Sequence, residues 1–144
     1  MERLADTVIF PAGPGDAAAL AKVHIESWRE TYRGLLPQAY LASMDPRIHA
    51  RRWRLQLTRA RPQDLVLAAE GRGGLIGYCA GAMSTGEASA SRAEVFTLYL
   101  VLSAQRAGLG RRLLTSAARV FSARGARSLE LWVLNGNTRA RGFY

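Results

Sequence analysis

At 144 residues, with 49% hydrophobic and 22% charged residues, the chain has the size and composition of one soluble domain and lies far from the composition of disorder. A formal charge of +9 invites a polyanionic partner, but arginines are scattered through every segment, with no block longer than the pairs Arg51-Arg52 and Arg111-Arg112, so nucleic acid is not the expected ligand. No stretch approaches the ~18 apolar residues that cross a bilayer, no signal-type apolar core opens the chain, and Cys79 is the single cysteine, so the reading is a cytoplasmic domain without disulfide, membrane span or cysteine-type zinc site.

In chain order, Thr7 to Phe10 is a short β-prone run closed by Pro11-Ala12-Gly13-Pro14-Gly15. Asp16 is placed to cap a helix in which Leu20, His24, Ser27, Trp28, Thr31 and Tyr32 recur at three- and four-residue spacing until Gly34 stops it. Pro37 suits the first turn of a helical piece through Tyr40 and Leu41, and Asp45-Pro46 breaks it and restarts a helix through Trp53 and Leu57. Asp64 to Glu70 and Leu75 to Met83 are strand-length apolar runs joined by Gly71-Arg72-Gly73-Gly74, which predicts an antiparallel hairpin with Cys79 as a buried strand residue. Ser84 to Ala93 reads as a loop, and the near-continuous apolarity of Glu94 to Leu102 predicts a central strand covered on both faces. Leu109, Leu113, Ala117 and Phe121 recur every four residues and set a helix from Leu109 to Ala123, ended by Gly125. Leu129 to Leu134 is a further strand, and Asn135-Gly136-Asn137 turns the chain into a helix start that reaches Tyr144. The economical arrangement is an α/β (α+β) domain, a mixed and mostly antiparallel central sheet flanked by helices.

Chemistry concentrates between the central strand and the helix after it. In Gln105-Arg106-Ala107-Gly108-Leu109-Gly110, glycines at 108 and 110 let the backbone approach a ligand closely. The free N–H groups and positive dipole end of the following helix then point at one place, which an anionic pyrophosphate of a nucleotide-type cofactor would occupy. Arg106, Arg111 and Arg112 would add charge at the rim. Trp28 and Tyr32 lie one helical turn apart and read either as the apolar wall of an acceptor pocket or as core. His24 and His49 have no ligand-spaced neighbour in sequence and read as packed or surface histidines, with no metal site expected.

Gln-x-x-Gly-x-Gly after Glu94-Val-Phe-Thr-Leu-Tyr-Leu100 closely resembles the signature of the GNAT N-acetyltransferase superfamily, and Leu131-Trp132-Val133-Leu134 followed by Asn137, Ala140 and Phe143-Tyr144 is similar to that family's next strand and helix. Ser27-Trp28-Arg29-Glu30-Thr31-Tyr32-Arg33-Gly34-Leu35-Leu36-Pro37 is similar to its first helix and turn. The resemblance implies an acetyl-CoA-dependent N-acetyltransferase acting on a primary amine of a small molecule or peptide by direct attack. It implies that backbone groups near Leu100 and Leu102 pair with the pantetheine arm, and that Gln105 to Arg111 hold the pyrophosphate. Asn137 would bond the pantetheine amide region, a role compatible with helix capping. Glu94 stands where several members carry the general base, and a strand-end glutamate facing solvent is the alternative. Tyr144 matches the family's general acid toward the CoA sulfur. Members usually continue with further strands, so the sequence is that of a domain short at its C-terminus, and an exposed sheet edge would favour a homodimer. A second reading is a non-catalytic, shortened module that keeps CoA or nucleic-acid affinity without acyl transfer.

Overall fold

Alternation along the strands and the four-residue repeat along the last helix decide which face each element buries. The computed structural model describes residues 6–84, 92–101, 104 and 108–131. Strands β1 (Val8–Pro11), β2 (Asp64–Gly71), β3 (Gly74–Met83), β4 (Arg92–Leu100) and β5 (Ser128–Leu131) form one sheet in sequential order. The first three junctions are antiparallel and β4 to β5 is parallel, with helix α4 (Leu109–Ala123) lying between those two strands in the chain. Helices α1 (Ala17–Thr31), α2 (Gln38–Ala42) and α3 (Pro46–Thr58) precede the β2–β3 hairpin.

Two cores follow from the pleat. On one face Leu65, Leu67, Cys79 and Val95 meet Leu109, Leu113, Ala117 and Phe121, the stripe read from the sequence. On the other, Ala68 and Tyr78 meet Leu20, Ala21 and Val23 of α1 and Trp53 and Leu57 of α3. Both faces of the sheet are therefore covered, and each fully buried large apolar side chain contributes about 1.5–3 kcal/mol.

Local signals mostly place the boundaries. Asp45 caps α3 through its Oδ1, which accepts from Arg47 N at 2.9 Å. Asp16 does not cap α1 with its side chain, because Oδ2 instead accepts from Gly13 N at 2.8 Å and closes the 3-10 turn Pro14–Asp16. Helix α1 ends at Thr31, ahead of the left-handed Gly34, and α4 is followed by left-handed Gly125. Strand β4 begins at Arg92, inside the expected loop, since Ala93 pairs with Met83 and is fully buried against the α4 side. Residue 102 and the stretch 132–144, which include the expected ends of β4 and of the last strand and the helix start after Asn135, lie outside the described residues.

Candidate functional site

Gly108 is the N-cap of α4 with φ 84°, a left-handed conformation that suits glycine and strains other residues. Gly108 has no side chain with which to cap this helix end, and the first turn holds no acidic residue. Arg112 N bonds back to Gly108 O at 3.1 Å. The amides of Leu109, Gly110 and Arg111 come before that first intrahelical bond and have no acceptor within the helix. Leu109 and Gly110 are buried while the Arg111 side chain is exposed, which sets a guanidinium beside these amides. That is an anion-binding arrangement.

Strand β4 leads toward this turn and is irregular. Ala80 of β3 is opposite Thr97, yet Gly81 is opposite Val95, so Phe96 is an inserted bulge residue, half exposed. Gly81 permits the bulge, because a β-carbon there would collide with the Glu94 carbonyl oxygen. The bulge inverts the side-chain alternation: Ala93 and Val95 before it, and Leu98 and Leu100 after it, all contact the α4-side core. Glu94, Thr97 and Tyr99 consequently share the opposite face, toward α1. The described pairing of β4 with β5 runs from Arg92–Ser128 to Val95–Leu131, and Leu131 is the last described residue.

On the α1 face an aromatic and imidazole cluster gathers. Trp28 packs on Tyr32 with ring centroids 4.6 Å apart and meets Tyr99 edge-on at 6.5 Å. His24 stacks on Trp28 at 5.7 Å, lies 5.0 Å from His49 of α3, and shares a hydrogen bond of 3.0 Å with the Tyr78 hydroxyl. Burial, helped by the neighbouring His49, lowers the His24 pKa to about 4. His49 is also lowered, by burial first and then by Arg52, with Asp45 acting against both. Burial pushes Tyr99 up to about 12, with Tyr32 adding to the rise, and raises Tyr32 and Tyr78 as well. The cluster thus holds neutral imidazoles and neutral phenols. Trp28 Nε1, Tyr32 Oη and Thr97 Oγ1 are buried without a hydrogen-bond partner among the described residues. The Tyr99 hydroxyl interacts electrostatically with Trp28 and Tyr32 but makes no well-aligned hydrogen bond to either.

Trp28 and Tyr32, read from sequence as pocket wall or core, stand at the centre of this cluster. His24 and His49, read as packed or surface histidines, are brought together from two helices, and Tyr78 and Tyr99, read only as strand residues, are register partners on β3 and β4. The signal for the tyrosines was strand alternation, which the bulge conceals in β4. Among the described residues no three His, Cys, Asp or Glu side chains group as metal ligands. Glu94 is half-buried at the start of β4, opposite Ala82 on one side and Glu130 on the other. Glu130 is paired with Arg92 at 3.3 Å. Leu100 lies at the Gly108 end of the strand, roughly 15–20 Å along it from Glu94. Cys79 is 1% exposed and its thiol is pushed up to about 12 by burial, which leaves it an unreactive core residue. Leu102, Gln105, Arg106, Ala107, Asn137 and Tyr144 fall outside the described residues. No helix among the described residues is long and apolar enough to cross a membrane.

The profile of the acetyltransferase (GNAT) family matches residues 25–144. The chain is 29% identical over 122 residues to a Bacillus subtilis (strain 168) protein named uncharacterized N-acetyltransferase YuaI, covering 85% of this chain and 68% of that one. It is 30% identical over 144 residues to the probable N-acetyltransferase Rv2775 of Mycobacterium tuberculosis (strain ATCC 25618 / H37Rv), covering 94% of this chain and 75% of the other. Among solved structures, PaiA N-acetyltransferase from Thermoplasma acidophilum, in complex with coenzyme A, superposes with a TM-score of 0.81 at 24% identity. That alignment covers 96% of this chain and 86% of the other, a likeness of fold.

Proposed function

Because the chain belongs to the acetyltransferase (GNAT) family, we propose that it transfers an acetyl group from acetyl-CoA to a primary amine of a small molecule or peptide by direct attack. The observation that carries this reading is the acid-free N-terminus of α4 behind left-handed Gly108, preceded in the chain by the bulged strand β4. An acyl-CoA fits the residues present. The pyrophosphate would sit at the amides of Leu109, Gly110 and Arg111, with Gln105, Arg106 and Ala107 completing the loop and the Arg111 guanidinium at its rim. Backbone near Leu100 and Leu102, and the Asn137 side chain, would hold the pantetheine arm. Acetyl-CoA, when bound, supplies the activated thioester acyl group.

The remaining work belongs to the chain. Glu94 takes the proton from the incoming ammonium, directly or through one water, so that a neutral amine attacks. Tyr144 supplies the proton that the leaving sulfur takes up. Trp28 and Tyr32 wall the acceptor and keep water from it, and the neutral His24–Tyr78 pair fixes the α1 face against the sheet. The test is release of free thiol from acetyl-CoA across a broad amine panel. The reading expects amine-dependent release. Binding of DNA or RNA that weakens with salt, with no thiol released by any amine, would replace it with a non-catalytic module.

A further inference from the structure

Between the C-terminal end of α1 and helix α2 lies a cavity of about 430 Å³ lined by Arg29, Arg33, Leu36, Gln38 and Leu41 among others. Its size falls within the roughly 300–1,000 Å³ of small-molecule sites. No acidic residue lines it. Arg29 is anchored there, with Nε donating to Leu41 O at 2.9 Å and a terminal nitrogen to Met44 O at 3.3 Å, so its charge faces backbone carbonyls rather than a carboxylate. Arg33 is exposed and makes no ion pair among the described residues. The inner wall is shared with the aromatic cluster, since Leu36 and Leu41 also pack with Tyr32 and Trp28. Tyr32 is 7% exposed and its hydroxyl has no hydrogen-bond partner among the described residues.

We propose that this cavity is the far half of the acceptor site and selects amines that carry a carboxylate, seated against Arg33 and Arg29 with the aliphatic stem on Leu36 and Leu41. The proposal rests on the amine-acetylation reading above. A guanidinium offers paired donors that match a carboxylate, and a second cationic group placed in the same cavity meets like charge instead.

The experiment compares ω-amino carboxylates of two to six methylenes with alkylamines and diamines of the same length, all with acetyl-CoA and thiol release as readout. The proposal expects at least one chain length at which the amino carboxylate exceeds both counterparts by about tenfold in kcat/KM. Arg33→Ala should collapse that preference mainly through KM, whereas Arg51→Ala, an equal loss of charge on α3, should leave it intact. Diamines or alkylamines matching the carboxylates at every length, or a preference untouched by Arg33→Ala, would overturn it while acetyl transfer still stands. Should no amine release thiol, the transferase reading fails separately, and calorimetric titration of 5-aminopentanoate and pentylamine into wild type and Arg33→Ala decides the cavity. Saturable, Arg33-dependent binding of the carboxylate alone supports the proposal, and its absence overturns it.

Discussion

Replacing Gly81 with alanine tests whether the β4 bulge is built by a missing side chain. A β-carbon at 81 would collide with the Glu94 carbonyl oxygen and lie 3.1 Å from Val95 Cα, so one strand must move. Both neighbours are backbone in the middle of a sheet, and neither can rotate away as a side-chain tip could. Overpacking of this kind costs about 1–3 kcal/mol. For a domain of 144 residues, unfolding entropy scaled per residue converts that into a fall in Tm of roughly 3–10 °C. The matched control is Gly73→Ala in the exposed β2–β3 turn, where an added β-carbon meets nothing within 4 Å. Scanning calorimetry on wild type and both variants reads the difference. A Tm for Gly81→Ala within a degree of wild type, or an equal fall for Gly73→Ala, would refute the steric account of the bulge.

Glu94→Gln should lower kcat by about 10²–10⁴ and remove the acidic limb of the pH–rate profile while CoA affinity stays near wild type; unchanged turnover would assign Glu94 to the strand end. Burial, with His49 beside it, lowers His24 to about 4 in the folded protein, against about 6.5 for a free imidazole. The unfolded chain therefore takes up the proton first, so stability should fall as pH drops from about 6.5 to 4 and this contribution should flatten below 4. Because His24 is partly exposed, we expect no more than about 1–2 kcal/mol from it. His24→Gln should flatten that slope in urea unfolding followed across pH, and an identical slope in the variant would contradict the assignment. Phe121→Ala removes a side chain 1% exposed at the centre of the α4 core, and should cost about 3–5 kcal/mol, checked by denaturant midpoint. A loss under ~1 kcal/mol would mean that the core is not organised as described.

The features legible in sequence are those set by local chemistry. The Leu109, Leu113, Ala117 and Phe121 stripe needs only a period of 3.6 to be read, and the Asp45 cap and the Gly-rich hairpin turn need only neighbouring residues. Glycine at 108 could be read as a requirement for unusual backbone, and its φ of 84° meets that expectation. The bulge at Phe96 could not be read, because Val95 to Val101 is almost wholly apolar and the lone Thr97 does not set an alternation that would mark the change of face. Asp16 carried a valid capping signal that a closer partner, Gly13 N, took instead. The His24–His49 approach depends on how α3 crosses α1, and the Tyr78–Tyr99 pairing on β3–β4 register, neither of which is encoded within a single segment. Family resemblance supplied roles for Glu94, Asn137 and Tyr144 that residue chemistry alone left open.

The central claim is that the turn before α4 holds the pyrophosphate of an acyl-CoA, and isothermal titration of acetyl-CoA addresses it most directly. Saturable binding by the wild type, weakened at least tenfold in Gly108→Val with the fold intact by circular dichroism, is the predicted result, since a branched side chain is strained at φ 84° and crowds the backbone amides. Well-folded wild type that binds neither acetyl-CoA nor CoA, or Gly108→Val binding as tightly as wild type, would contradict it.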